Sequence, residues 1–425
     1  MFKLAVFCYS SPGHLNPTLS LAHQLKDRGY ESTFFQLPHL AEKILEAGFD
    51  FYPLGTEADS QVIEEISCTA SRSEGMEAMV QEARRSEFES KIFFSQGPEA
   101  LRRAGIEGVM TDQALIYGAA VSERAGLPYV SIINALPLID DDDVPSVCFG
   151  WGTPGSPRES LRQASAIRAL SRIWYPVIYG LIKQRLDWGL GHRKVGELAQ
   201  VTQCPAFLDF PKKTLPPNFH YTGPFLDGRA LAPVPFPWER LDGRPLVYAS
   251  LGTVVNRHEH IFKRVVEACA QLGLQAVITT GGAPLPQSLE GLPGDPVFVP
   301  FAPQHDLLKR ASAAITHAGM NTALDCLTHG VPLVAIPLAF DQPGIAARLE
   351  HLKVGRTIRR RRPSAQLMLE SLSAVIDDPQ FRENAALMKE RMRTLDGPRR
   401  AAEIIDDCFD SWYAEAPSRR SPDNH

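Results

Sequence analysis

At 425 residues and 44% hydrophobic, the chain has apolar material for more than one core, so two or more domains are expected. A formal net charge of −5 gives no electrostatic pull toward nucleic acid. Seven cysteines form no CxxC pair, no apolar run reaches the roughly eighteen residues of a membrane-spanning helix, and residues 2–9 are too short a run for a secretory signal. A soluble, cytoplasmic protein with neither a disulfide framework nor a metal-site cysteine spacing is therefore expected.

Residues 2–9 read as a buried strand and residues 16–28 as an amphipathic helix capped by Gly29. Between them runs Ser10-Ser-Pro-Gly13-His14-Leu-Asn16-Pro17. Gly13 lets the backbone approach a ligand closely, and Asn16-Pro17 offers a capping residue followed by proline at the first helical position. His14 then projects from the carboxyl edge of the first strand, and imidazole suits proton transfer near neutral pH. Further strands are expected over 31–37, 105–111 and 129–133, with a helix over 114–125. Asp112 ends the second of these strands, where it can cap the next helix or orient a histidine base.

Asp140 to Asp143 is a run of four carboxylates, better read as an exposed acidic loop than as a DxD metal site. Residues 150–155 spell GxGxxG. Pro154 stiffens that turn and no acidic residue follows about twenty positions on, so a dinucleotide site is not expected. The segment 148–204 carries Trp151, Trp174, Tyr175, Tyr179 and Trp188 among aliphatic residues. Such a wall suits a hydrophobic ligand, or packs the helices of the first half.

Residues 226–244 are proline-rich and aperiodic, a semi-rigid linker. Strands are expected beyond it over 246–250, 276–280, 297–300, 313–316 and 333–336, with a helix over 259–272. Both halves repeat strand, glycine-containing turn and helix, the grammar of parallel sheets covered on both faces. Ligands of such sheets gather beyond the carboxyl ends of the strands, where Ser250–Thr253, Thr280–Gly282, Phe301–Gln304, His317–Thr322 and Asp341-Gln342 all fall. After the 313–316 strand, His317-Ala-Gly319 turns into a helix over 321–329 closed by Gly330. That geometry presents free N–H groups to a phosphate, with Asn321 and Thr322 as added donors and Asp325 one turn on to accept from ribose hydroxyls. Arg359 to Arg362 reads as a solvated loop, with weak attraction to anionic lipid as the other reading. A last helix is expected over 397–415, and the polar tail 416–425 reads as disordered.

The stretch 301–342, FAPQHDLLKRASAAITHAGMNTALDCLTHGVPLVAIPLAFDQ, resembles the nucleotide-sugar signature of the UDP-glycosyltransferase family, inverting enzymes of the GT-B fold. The resemblance implies an α/β chain of two facing, doubly wound Rossmann-like domains with the ligand cleft between them. Residues 1–225 would bind the acceptor, 226–244 link, and 245–396 bind the donor, with the 397–415 helix packing back on the first domain. It also implies that Phe301 stacks on uracil and Gln304 bonds its edge. Asp325 stands where many members carry Glu for the ribose. His317, Gly319, Asn321 and Thr322 would meet the diphosphate, with Ser250 to Thr253 as a second turn beside it. Asp341 and Gln342 would hold the donor hexose. His14, in a GHxNP context found in bacterial members, matches the general base and Asp112 its orienting carboxylate. Asn16, Trp151, Trp174 and Tyr179 fall in the part implied to face the acceptor.

Segments 198–203, 208–216, 221–224 and 340–348 are similar to zeaxanthin glucosyltransferases within that family. The expectation is a monomer transferring glucose from UDP-glucose to a hydrophobic hydroxylated small molecule such as a carotenoid, without metal or other cofactor. Another terpenoid, polyketide or flavonoid acceptor, or a dTDP-sugar, stays open. So do a nucleotide-sugar epimerase and a non-catalytic binding protein.

Overall fold

A computed structural model of the chain describes residues 1–139, 141, 144–151, 156–191, 196–227, 234–253 and 258–415. Most of the acidic run, residues 152–155, the middle of the linker and the 416–425 tail lie outside the described residues.

The first half runs β1 (Phe2–Phe7), α1 (Pro12–Lys26), β2 (Tyr30–Gln36), α2 (Ala41–Glu46), β3 (Asp50–Pro53), α3 (Glu57–Ala70), α4 (Met76–Arg103), β4 (Gly108–Asp112), α5 (Gly118–Arg124), β5 (Tyr129–Ile133), α6 (Pro157–Asp187), β6 (Glu197–Thr202) and β7 (Phe219–Tyr221). Its strands form a seven-stranded sheet in the order β3-β2-β1-β4-β5-β6-β7, parallel throughout. The second half runs β8 (Leu246–Ser250), α7 (Glu259–Gln271), β9 (Gln275–Thr279), β10 (Val297–Val299), α8 (Gln304–Leu308), β11 (Ala311–Thr316), α9 (Met320–His329), β12 (Leu333–Ala335), α10 (Gln342–His351), β13 (Gly355–Thr357), α11 (Ala365–Asp377), α12 (Pro379–Met392) and α13 (Gly397–Glu415). Six of its strands, in the order β10-β9-β8-β11-β12-β13, form the second parallel sheet. Strands β4, β5, β8 and β9 are buried at every residue, as sheets covered on both faces require.

Strand order reverses between β1 and β4 in one sheet and between β8 and β11 in the other. Loops leaving neighbouring strands there turn to opposite faces and open a crevice, the place where such sheets bind ligands. His14 and Asp112 stand beyond one reversal, Ser250 and His317 beyond the other.

Helix α13 belongs to the first core although it follows the second. Ala401, Ala402, Ile404, Ile405 and Phe409 join the cluster around β1 and α1. Phe409 lies 5.0 Å from the Phe2 ring, and the Tyr413 hydroxyl donates to the Glu107 carbonyl at 2.6 Å. Gly397 makes the crossing possible, because a Cβ there would sit 2.3 Å from the carbonyl oxygens of Gly223 and Pro224.

The expected strands over 129–133 and 246–250 and the last helix have the observed bounds, and most others shift by one to three residues. Two starts differ by four residues. Helix α1 begins at Pro12, with extended Ser11 as its N-cap, so Asn16 does not cap it and Pro17 is interior. His14 consequently sits in the first helical turn. The expected 114–125 helix is shorter, starting at Gly118.

Candidate active site

Because β1 and β4 are parallel neighbours with Phe7 opposite Thr111, the segments leaving them are adjacent. They bring His14 Nδ1 to 2.7 Å from Asp112 Oδ2. A carboxylate can only accept, so Nδ1 carries the proton and Nε2 of the neutral ring keeps a free lone pair. Asp112 is 1% exposed and its carboxylate is fully engaged: Oδ1 accepts from the Ala114 N–H at 2.9 Å, Oδ2 from Asn134 Nδ2 at 3.0 Å. Of the two roles open in the sequence, Asp112 holds the histidine and does not cap the next helix, which begins only at Gly118 with Tyr117 before it; its bond to Ala114 closes a local turn. Burial alone would lower the His14 pKa, but the Asp112 charge and hydrogen bond, with Asp341 and Glu82 behind them, hold it above the usual histidine value. Burial likewise works to raise Asp112, and His14, Ala114 and Asn134 outweigh it and hold the carboxyl below its usual range.

Asn134 was not anticipated. It follows β5, and its amide also donates to Thr18 Oγ1 at 3.0 Å, tying α1 to the base pair. A polar residue just past a buried strand was the available signal. Gln203, just past β6, is a second omission. Its Nε2 donates to the Asn134 carbonyl at 2.6 Å and to Asn321 Oδ1 at 2.9 Å.

Across the crevice, α9 starts at Met320 and ends at Gly330 in the left-handed conformation, the anticipated cap. Asn321 lies in its first turn and donates to the Gly13 carbonyl at 2.9 Å. His317 is packed between two glycines: a Cβ on Gly252 would meet its ring at 2.6 Å, and one on Gly319 at 2.4 Å. Gly252 also has φ of +78°, so it is required twice over. Burial pulls the His317 imidazole down to about 4, which keeps it neutral, a hydrogen-bonding group and not a charge. Thr322 is buried in the same turn, while Thr253 is exposed beyond β8.

Phe301 is half exposed, its ring resting on Gly282, where a Cβ would come within 3.0 Å. Gln304 is held on both sides, its Oε1 by the Tyr248 hydroxyl at 2.9 Å and its Nε2 on Asp325 Oδ2. Asp325 therefore pairs with Gln304, and burial raises its pKa. Asp341 precedes α10, and its Oδ2 accepts from the Leu136 N–H of the first half at 3.0 Å. Burial raises this carboxyl too, and it lies near enough to His14 for each to shift the other. Gln342 Oε1 accepts from the N–H groups of Leu338 and Ala339, shaping the loop that presents Asp341.

The candidate acceptor residues do not form one wall. Trp151 stacks on Phe149 at 4.5 Å and carries Arg162 over its ring, and the neighbouring Gly150 abuts Pro343 of the donor loop. Trp174 is half-buried on α6, whereas Tyr179 is 56% exposed and turned outward. Asn16 is occupied by Lys43 Nζ at 3.0 Å. Of the acidic run, Asp141 accepts from the Lys213 N–H at 2.7 Å. Arg359 and Arg361 of the basic run are engaged by Glu350 and Glu74. Among the described residues no group of three or more His, Cys, Asp or Glu could hold a metal ion, and no helix is long and apolar enough to cross a membrane.

Residues 199–395 match the family described as UDP-glucoronosyl and UDP-glucosyl transferase. A zeaxanthin glucosyltransferase of Pantoea ananas is 30% identical over 92% of this chain and 93% of its own length. The chain belongs to the UDP-glycosyltransferase family. As a UDP-glycosyltransferase it is a sugar-transferring enzyme. It is also similar, at 26% identity over 93% of this chain and 96% of the relative, to a 4'-demethylrebeccamycin synthase of Lentzea aerocolonigenes. Among solved structures, a calicheamicin glycosyltransferase superposes with a TM-score of 0.72 at 20% identity, covering 97% of this chain and 99% of that one. The UDP-glycosyltransferase therefore has the two-sheet GT-B architecture of these enzymes.

Proposed function

We propose that this enzyme transfers glucose from UDP-glucose to a hydroxyl of a hydrophobic small molecule, with inversion at the anomeric carbon and a hydroxylated carotenoid as the first candidate acceptor. The observation that carries the reading is the His14–Asp112 pair at 2.7 Å, facing Asn321 and Asp341 of the nucleotide half. His14 Nε2 takes the acceptor hydroxyl proton as that oxygen attacks the anomeric carbon, and Asp112 steadies the imidazolium that forms. The bond to the UDP oxygen breaks on the opposite face, which inverts the centre. The departing charge is met by the α9 N-terminus, Asn321, Thr322 and neutral His317, so the reading asks for no metal ion.

Phe301, open on one face, is the stacking platform for the base, and Asp341 with Gln342 holds the hexose. Trp151 and Phe149, beside the donor loop, are the wall offered to the acceptor. The names of the relatives support an acceptor of this class, and the protein works as a monomer in the cytoplasm.

The test is a matrix of UDP-glucose and dTDP-glucose against zeaxanthin, an aglycone macrolide and a flavonol, with and without chelator. Products are read by mass spectrometry and anomeric configuration by NMR. A β-glucoside of zeaxanthin formed from UDP-glucose in chelator supports the reading. Turnover confined to the other acceptors replaces the carotenoid, and retention at the anomeric centre refutes the mechanism.

A further inference from the structure

Helix α6 presents two unlike faces. Val177, Leu181 and Trp188 turn inward, where Trp188 meets the Phe94 ring of α4 edge-on at 5.4 Å. On the far side Tyr175, Ile178, Tyr179, Ile182 and Leu186 follow steps of three, one, three and four, which places them in one stripe. All five are exposed, Tyr175 at 64% and Leu186 at 61%. The two tyrosine rings stack on each other at 5.9 Å along the surface.

A contiguous stripe of large apolar side chains is unusual on the surface of a water-soluble monomer and marks a contact. Its charge says with what. Residues 157–187 hold Arg158, Arg162, Arg168, Arg172, Lys183 and Arg185 against Glu159 and Asp187, an excess of four positive charges on a chain of net −5. Arg168 and Arg172 continue the Tyr175–Tyr179 line by steps of four and three, and both are exposed. Lys183 borders the stripe paired with Asp187, while Arg162 lies over the Trp151 ring and Arg185 turns back to Glu123 at 2.8 Å. A second copy docking face to face would set this cationic helix against itself. An anionic bilayer accepts both features: aliphatic side chains and tyrosine bodies enter the headgroup boundary while arginines meet lipid phosphates.

We propose that the outward face of α6 is a membrane-docking surface that rests on bilayers containing anionic lipid. The docking stands independently of which acceptor the enzyme uses.

Co-sedimentation of the full chain with vesicles of phosphatidylcholine, with and without phosphatidylglycerol, tests it. Binding to the anionic vesicles that weakens as salt is raised is expected. Neutralising Arg168 and Arg172 together (Arg168→Gln, Arg172→Gln) should weaken that binding roughly thirtyfold at low salt. The set Ile178→Ser, Ile182→Ser and Leu186→Ser should abolish it with circular dichroism and UDP affinity unchanged, since all three side chains are exposed. Wild-type protein left in the supernatant with both vesicle types overturns the proposal. So does undiminished binding by the serine variant, or a wild-type dimer in gel filtration that the serine variant dissolves.

Discussion

Asn321 donates its side-chain amide to the Gly13 carbonyl at 2.9 Å, and that carbonyl is free to accept because of Pro17. In an α-helix the N–H four residues on would take it, and proline has none. An interior proline thus becomes the reason why the nucleotide-side helix can clasp the helix bearing His14. Pro17→Ala should restore the competing N–H, loosen Asn321 and raise the donor KM about two- to tenfold, the worth of one net hydrogen bond. Melting temperature should stay level or rise. Steady-state kinetics against UDP-glucose decide it, and an unchanged KM would show the clasp to be incidental.

The base pair gives a pH signature. His14 must be neutral to accept a proton, and its pKa is held above the usual histidine value, so kcat/KM should fall as pH drops through that raised value. Asp112→Asn removes the charge holding it up, leaving burial to pull it down. The acid limb should then move to lower pH while the plateau falls. His14→Ala should lower kcat by roughly two to four orders of magnitude with UDP affinity nearly unchanged. A limb that stays in place in Asp112→Asn would count against the assignment.

Gly252→Ala should cost donor binding by displacing His317, whose ring the new Cβ would meet at 2.6 Å. A control separates this from backbone strain. Gly243 also has positive φ, +89°, with nothing within 4 Å of its Cβ position. Gly243→Ala should lower stability by about 1–2 kcal/mol and leave UDP binding intact. Calorimetric titration with UDP compares the two, and equal affinities would remove His317 from the phosphate site.

Arg348 and Asp209 form a buried pair across the two halves, Nε and Nη2 both donating to Oδ1 at 2.9 and 2.7 Å, with Lys212 and Tyr221 on Oδ2. Arg348→Met should destabilise by about 3 kcal/mol, the low end for a broken buried pair because Lys212 and Tyr221 remain. Burial works to raise the Asp209 pKa, but Arg348 and Lys212 outweigh it and hold the carboxyl below its usual range. Its stabilisation is therefore complete above the ordinary aspartate value and lost as pH falls through the depressed one. Chemical denaturation at several pH values should show a shallower acid loss in Arg348→Met.

Much of this was legible because local signals and the final contacts agree. The 129–133 strand is bracketed by turn residues, and Gly330 is an unambiguous helix stop. The start of α1 was misread because Ser11-Pro12 and Asn16-Pro17 carry the same signal, and only Asn321, some three hundred residues away, makes the second proline tolerable inside the helix. Asn134 and Gln203 were missed for a related reason: their partners come from other strands and from the other half. On α6 the apolar residues are real, but periodicity cannot tell an inner face from an outer one when both are apolar, so Tyr179 was sent to the wrong side.

The crossing of α13 has a consequence for how the protein is made. Ala401, Ile405 and Phe409 complete the core around β1, so the first half to leave the ribosome is the last able to finish folding. The second half, complete by about Met392, can fold while the first waits with an open groove along α1 and β2. Losing the last twenty-odd residues would therefore injure the remote N-terminal half, and a nascent chain stalled there would be the form most in need of a chaperone.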